Sequence, residues 1–201
     1  MLNEIKISDK VSIYQTNISY DKETILKEIK LNIDINARSS IVPRKEAPGL
    51  QSDIIIRTKG IDAINRHALN ILSTELNCNV SEPYYHHCWI YKSTNSNIYE
   101  NYHKHLSIQD FNLNNIAWTH TFYVQMPDNL EGDDGYLLFK TDDGIEYKML
   151  PKEGDLIIFS AGLSHMPKTN KKSNIERVVL GGAFKSLNLY DKIIKEQKSL
   201  I

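Results

Sequence analysis

From about residue 84 the chain is a succession of short β-favouring runs, each closed by a turn signal, and this pattern constrains the fold more than any other feature. Tyr84-Tyr85-His86-His87-Cys88-Trp89-Ile90-Tyr91 is dense in aromatic and strand-forming residues. Ala117 to Met126 makes a second run, stopped by Pro127-Asp128-Asn129. Gly135 to Lys140 follows a Gly-Asp-Asp-Gly turn, and Asp142-Asp143-Gly144 is a hairpin signal joining it to Ile145 to Leu150. Gly154-Asp155 introduces Leu156-Ile157-Ile158-Phe159, and Arg177-Val178-Val179-Leu180 opens a last strand. Many short strands with regular punctuation point to a sandwich or jelly-roll barrel.

The first 80 residues read differently. Val11 to Thr16 alternates apolar and polar residues and predicts an early strand. Asp21 or Ser19 is placed to cap a helix whose apolar stripe is Ile25, Leu26 and Ile29. The pattern fails from Asn32 to Ser52, where Pro43, Pro48 and Gly49 predict a long connection. A second helix is predicted from Ile61 to Leu76, since Ile61, Ile64, Ala68, Leu69, Ile71, Leu72 and Leu76 recur with helical spacing. That stripe is core packing against a sheet. The expected architecture is mainly β with packed helices in a single domain over 1–201. It has an N-terminal strand and helix layer (1–80), a β-barrel core (81–186) and a C-terminal tail or short helix (187–201).

Composition removes some functions. The 201 residues carry a formal net charge of −1, so no basic field exists to hold a nucleic-acid backbone. Two cysteines, Cys78 and Cys88, do not make a disulfide framework and are expected to be reduced. No apolar run reaches the length of a membrane span and the N-terminus lacks the layout of a signal peptide, so a cytoplasmic location is expected, with no membrane partner. A homodimer stays open.

Chemistry is concentrated in the histidines, of which there are seven. His67 lies beside Arg66 on the second helix and reads as a surface residue. His86 and His87 are adjacent in a strand, face opposite ways and cannot act as a ligand pair. His120 shares a strand face with Trp118 and Phe122 and reads as a hydrogen-bonded core residue. His103 and His105 differ because they are spaced i, i+2, which puts both on one face of an extended segment. From about 6–7 Å apart, set by the rise of a strand, two imidazoles can converge on one ion at about 2.1 Å each. His165, after Leu156–Phe159 and a tight Ser160-Ala161-Gly162-Leu163 connection, would supply a third ligand from a barrel rim. Residue spacing alone leaves two readings open, a three-point metal site and ordinary core histidines.

The order of these pieces resembles the second half of iron(II)- and 2-oxoglutarate-dependent oxygenases. Tyr102-His103-Lys104-His105, Trp118 to Val124, Gly135 to Phe139, Leu150-Pro151-Lys152-Glu153-Gly154-Asp155-Leu156-Ile157-Ile158-Phe159, Leu163-Ser164-His165 and Glu176-Arg177-Val178-Val179 follow in that family's sequence over about residues 84–186. Pro48-Gly49-Leu50-Gln51-Ser52 is also similar to a segment of small bacterial and phage members. The resemblance implies a double-stranded β-helix, with iron(II) as metal and 2-oxoglutarate as co-substrate. It makes His165 the distal metal ligand and gives Arg177, twelve residues later, the far carboxylate of 2-oxoglutarate. Arginine suits that role because its planar fork matches a carboxylate in two places; the plainer alternative is an edge-strand arginine paired with Glu176.

One position departs from the family. The usual triad is two histidines and one carboxylate, the carboxylate two residues after the first histidine. Here that place holds His105 if His103 is the first ligand, or Ser107 if His105 is, with Asp110 the nearest carboxylate downstream. The favoured ligands are His103, His105 and His165, a neutral three-nitrogen face. The activity expected is hydroxylation of a small-molecule or peptide substrate, prolyl-hydroxylase-like members suggesting a peptidyl or free amino acid. Tyr85, Trp89, Tyr91, Thr119 and Thr121 are candidate pocket walls. The alternatives are a three-histidine dioxygenase acting directly on a chelating substrate such as a thiol, without 2-oxoglutarate, and a jelly-roll binding module without catalysis.

Overall fold

Eleven strands and two helices form among the described residues of the computed structural model, which are 1–38, 50–53, 58–81, 88–93, 101–105, 116–168 and 175–186. The major sheet runs in the order β1 (Asn3–Ser8), β2 (Val11–Asn17), β9 (Asp155–Ser160), β6 (Ile116–Gln125), β11 (Arg177–Ser186), β5 (Cys88–Ser93), β3 (Leu50–Asp53). The two-residue β4 (Val80–Ser81) pairs with the end of β11. A minor sheet has the order β10 (Ser164–Pro167), β7 (Leu137–Lys140), β8 (Glu146–Met149). Neighbours are antiparallel in both sheets. The jelly-roll expected from the punctuated strands is the fold observed.

Period-two alternation gives the major sheet two buried faces. In β9, Leu156 and Ile158 join the helix-side core while Ile157 and Phe159 face the minor sheet. In β6 the helix side takes Phe122 and Val124 and the inner side Tyr123; in β11 the corresponding residues are Val178, Leu180 and Phe184 against Val179. A strand buried on both faces reads as a nearly unbroken apolar run, which is how Leu156–Phe159 appears in the sequence. The inner core closes against Leu137, Phe139 and Met149 of the minor sheet.

Helices α1 (Lys22–Arg38) and α2 (Lys59–Asn70) cover the outer face with Ile25, Ile29, Ile61, Ile64 and Ala68. Asp21 caps α1, accepting from the Thr24 amide (3.1 Å) and hydroxyl (2.7 Å). The helix outlasts the predicted break at Asn32. Asn32 is buried and its Nδ2 donates to the Glu28 carbonyl one turn back (3.1 Å), so its polar side chain is satisfied inside the helix and Ile33 continues the apolar stripe. At its far end the predicted connection gives way to β3, whose Leu50–Ser52 pair with β5, and residues 39–49 lie outside the described residues, as do 84–87 of the first strand run and the 187–201 tail. The second predicted helix is also corrected, for Ile71–Glu75 forms a π turn in which the Leu76 amide donates five residues back to Ile71 (3.0 Å).

Two contacts fix the helices and β9 where the inner face needs them. The Glu28 carboxylate accepts from the amides of Gly60 (3.1 Å) and Ile61 (3.0 Å) and from the Thr58 hydroxyl, so α1 supplies the anion at the α2 N-terminus. Gly154 turns the chain into β9 with φ of 84°, and a Cβ there would lie 2.9 Å from the Ile18 carbonyl. Asp155 then accepts from Gln15 (2.9 Å), Asn17 (2.9 Å) and the Lys152 amide (2.8 Å), tying β9 to β2. Cys78 and Cys88 are not joined in a disulfide. Among the described residues no helix is long and apolar enough to cross a membrane.

Candidate active site

His165 lies on β10 and not at a bare rim, for Ser164–Pro167 pairs with β7 and sets His165 opposite Phe139. The Asn101–His105 segment runs beside β10. His103 and His165 exchange both backbone hydrogen bonds at 2.9 Å, and the His105 amide donates to the Ala161 carbonyl (3.0 Å). Extended geometry then sends alternate side chains to opposite sides. Lys104 points away and pairs with Asp142 (2.9 Å), while His103 and His105 turn toward His165.

The three imidazoles form one cluster. Ring centroids lie 4.3 Å apart for His103 and His165, 4.8 Å for His105 and His165, and 5.4 Å for His103 and His105. Their candidate ligand nitrogens are all within 4.8 Å of one another. Nδ1 of His103 contacts the Asn101 carbonyl (3.3 Å) and Nδ1 of His165 the Leu163 carbonyl (3.1 Å), each two residues back. A carbonyl can only accept, which assigns the proton to Nδ1 in both rings and makes Nε2 the unprotonated nitrogen of each. Phe159 meets the His165 ring edge to face at 4.8 Å. Trp89 lies against His105 at 4.7 Å with planes 32° apart.

Electrostatics keep the rings unprotonated. Burial pushes His165 down to about 3, helped by His103 and opposed by the Leu163 carbonyl. His105 falls well below the ordinary histidine range, first through burial and then through His165 and His103; His103 is lowered by burial against the pull of the Asn101 carbonyl. Three neutral imidazoles with converging nitrogens are a donor set that a divalent cation of borderline softness fits. No carboxylate belongs to the cluster among the described residues, and Asp110 lies outside them.

The second feature between the sheets is Arg177. It is 1% exposed and the largest fully buried side chain. One guanidinium nitrogen donates to the Lys168 carbonyl (2.7 Å), but among the described residues Nε and the other terminal nitrogen have no hydrogen-bond partner. The guanidinium sits 5.6 Å over the Tyr91 ring, and the buried Tyr91 hydroxyl is likewise without a partner. Burial pushes the neighbouring Tyr123 phenol up to about 12 despite the Arg177 charge, so it stays a neutral hydroxyl. The surface ion pair with Glu176 does not form, because β11 is interior to the sheet and Glu176 pairs with Lys92. A buried cation with unused donors is costly unless something anionic fills the place. Val179 and Tyr123, beside Arg177, and Phe159 and Phe139, beside His165, belong to the same inter-sheet core, so both features border that core.

The remaining candidates separate by face. Trp89 and Tyr91 lie on the inner side of β5, and Thr119 and Thr121 are buried on β6. His120 points the other way and is buried beside Phe184, near Gly182 and Asn65. His67 is exposed on α2; Tyr85, His86 and His87 lie outside the described residues. The carbonyls of Asn101 and Leu163, the Phe159 edge and the Gly181 backbone have no signature in the sequence, being fixed only by how the chain folds back.

Solved structures similar to this fold include prolyl hydroxylases. A Pseudomonas putida prolyl-4-hydroxylase matches 87% of this chain and 92% of its own, at 15% identity and a TM-score of 0.58. The viral collagen prolyl hydroxylase of Paramecium Bursaria Chlorella virus-1, solved as a 2OG complex, matches 87% and 96% at 15% identity and 0.55. A prolyl hydroxylase from Trichoplax adhaerens, in complex with a hypoxia inducible factor peptide fragment, matches 88% and 84% at 14% identity and 0.58. No protein-family model and no curated sequence matches the chain. The chain therefore has the jelly-roll fold of the prolyl hydroxylases, and within it a three-histidine cluster and a buried arginine.

Proposed function

We propose that this protein is an iron(II)- and 2-oxoglutarate-dependent dioxygenase that hydroxylates a peptide or small-molecule substrate. One observation carries the reading: three neutral imidazoles and a buried, partly satisfied guanidinium border the same inter-sheet core. Nε2 of His103 and of His165, with a nitrogen of His105, would hold the metal. Arg177, with the Tyr91 hydroxyl, would receive the far carboxylate of 2-oxoglutarate through charge-assisted hydrogen bonds. Iron and 2-oxoglutarate together supply oxidative decarboxylation and the oxidant that inserts oxygen into a C–H bond. The chain's own part is positional. Carbonyls of residues 101 and 163 fix two ring tautomers, the Phe139 and Phe159 rings keep water from His165, and the neutral Tyr123 phenol flanks the anion without repelling it.

The neutral donor set supports a second reading, a three-histidine dioxygenase that takes a chelating substrate directly. Anaerobic calorimetry with iron(II) and 2-oxoglutarate decides between them. The proposal expects 2-oxoglutarate binding that needs both metal and Arg177, and succinate release once oxygen is admitted. Folded, metal-loaded protein that neither binds 2-oxoglutarate nor forms succinate refutes it and leaves the second reading. Metal content unchanged by His103→Ala and His165→Ala refutes both.

A further inference from the structure

The three histidines are not held in the same way. His103 and His165 are each restrained twice, by the backbone bonds they exchange and by a ring nitrogen on a carbonyl. His105 has the backbone bond to Ala161, but among the described residues no hydrogen bond reaches its ring. Among the described residues its close ring partner outside the cluster is Trp89, at 4.7 Å and 32°. Metal-ligating histidines ordinarily have their second nitrogen held by an outer group that sets the ring plane. Here, among the described residues, no such group meets the His105 ring, and an indole packs on the ring instead.

The indole is itself placed with care. Trp89 stands directly opposite Gly181 in the β5–β11 pairing. A Cβ on Gly181 would overlap the indole ring, so glycine is what allows the ring to lie across β11. Ala161 and Ala183 complete a small-residue slot around it, and the Ala161 carbonyl is the same group that receives the His105 amide. The next residue, Gly182, is also crowded, but on the opposite face, where a Cβ would overlap His120.

We propose that Trp89, seated on Gly181, is the positioning residue for His105. The stack replaces the missing outer hydrogen bond and fixes the plane from which the third nitrogen meets the metal. This rests on the metal-site reading above. It gives Gly181 and Gly182 different functions although they are adjacent: one serves the metal ligand, the other the helix-side core.

Cobalt(II) titration of the full chain, followed by its visible spectrum and by calorimetry, tests the assignment independently of turnover. Trp89→Leu keeps apolar bulk and removes the ring; Gly181→Ala displaces the ring without touching it chemically. Each is expected to weaken cobalt(II) binding by at least about tenfold and to alter the ligand-field bands, a typical effect of losing an outer support. Trp89→Phe, which restores a flat ring, should return affinity to within about threefold of the parent. Gly182→Ala should lower stability and leave cobalt(II) affinity and spectrum unchanged. Folded Trp89→Leu or Gly181→Ala protein with parental cobalt(II) binding overturns the proposal, and so does Gly182→Ala weakening binding as much as Gly181→Ala. Where His103→Ala and His165→Ala lose cobalt(II) and Trp89→Leu does not, only this inference fails. Where the histidine variants also keep it, the metal site itself fails.

Discussion

Replacing Arg177 by methionine should separate stability from binding. Removal of one partner from a well-paired buried charge costs about 3–5 kcal/mol. Arg177 is not such a case, because two of its three nitrogens have no hydrogen-bond partner among the described residues. Each unsatisfied buried donor carries a penalty of about 1–3 kcal/mol, so the variant is relieved of about 2–6 kcal/mol. Against this stand the charged hydrogen bond to Lys168, about 1.5–3 kcal/mol, and the contact with the Tyr91 ring, about 0.5–2 kcal/mol. The methionine stem retains most of the packing. The terms nearly cancel, and urea unfolding without co-substrate should place Arg177→Met within about 2 kcal/mol of the parent. Binding should behave in the opposite way. Losing two charge-assisted bonds weakens 2-oxoglutarate by at least about a hundredfold. At a concentration of 100 times its Kd the co-substrate should stabilise the metal-loaded parent by about 2.7 kcal/mol and the variant hardly at all. A stability loss beyond about 3 kcal/mol, or equal stabilisation of both proteins by 2-oxoglutarate, refutes the assignment of Arg177 as an anion anchor waiting for its ligand.

Two further outcomes follow from the fold. His120 is buried with its imidazole pushed down to about 3 against an ordinary 6.5 in the unfolded chain, so the unfolded state takes up the proton first. Stability is therefore lost as pH falls below about 6.5, by about 2.7 kcal/mol at pH 4.5 from this group alone. His120→Leu should flatten that part of the profile in urea titrations at both pH values, and an unchanged slope contradicts the account. Glu28→Ala strips the α2 N-terminus of the carboxylate that meets two amides and the Thr58 hydroxyl. It should lower unfolding free energy by about 1–2 kcal/mol, with Glu28→Gln losing less.

Local signals in the chain made the strands and hairpin legible, because alternation, aspartate–glycine turns and β-favouring residues all act over a few positions. The β7–β8 turn forms where Asp142-Asp143-Gly144 placed it, with Gly144 at φ of 86°. Same-face placement of His103 and His105 was equally readable from spacing, and Lys104 pointing out to Asp142 is its counterpart. What could not be read depends on residues far apart. Strand β10 contains no strong strand former and exists because β7 and the His103 segment flank it. Helix α1 passes through Asn32 because the side chain finds the Glu28 carbonyl, a local bond that propensity alone disfavours. The state of Arg177, buried with unused donors, has no sequence signal, since the same residue two positions along would be read as a surface charge. Trp89 was legible only as an aromatic wall; its place beside His105 needs the β5–β11 register and the glycine opposite it.

Strand β11 works as a partition. Read with a stride of two from its first residue, it gives Arg177, Val179, Gly181 and Ala183, which belong to the interior between the sheets; the intervening Val178, Leu180, Gly182 and Phe184 belong to the helix layer. Its ten residues are thus two interleaved messages on one tape. Point substitutions disturb one message at a time, but a frame slip of a single position scrambles both. It would turn the guanidinium toward the isoleucines of α1 and α2 and bring a phenylalanine up against the indole. Length, more than composition, is what this strand can least afford to vary.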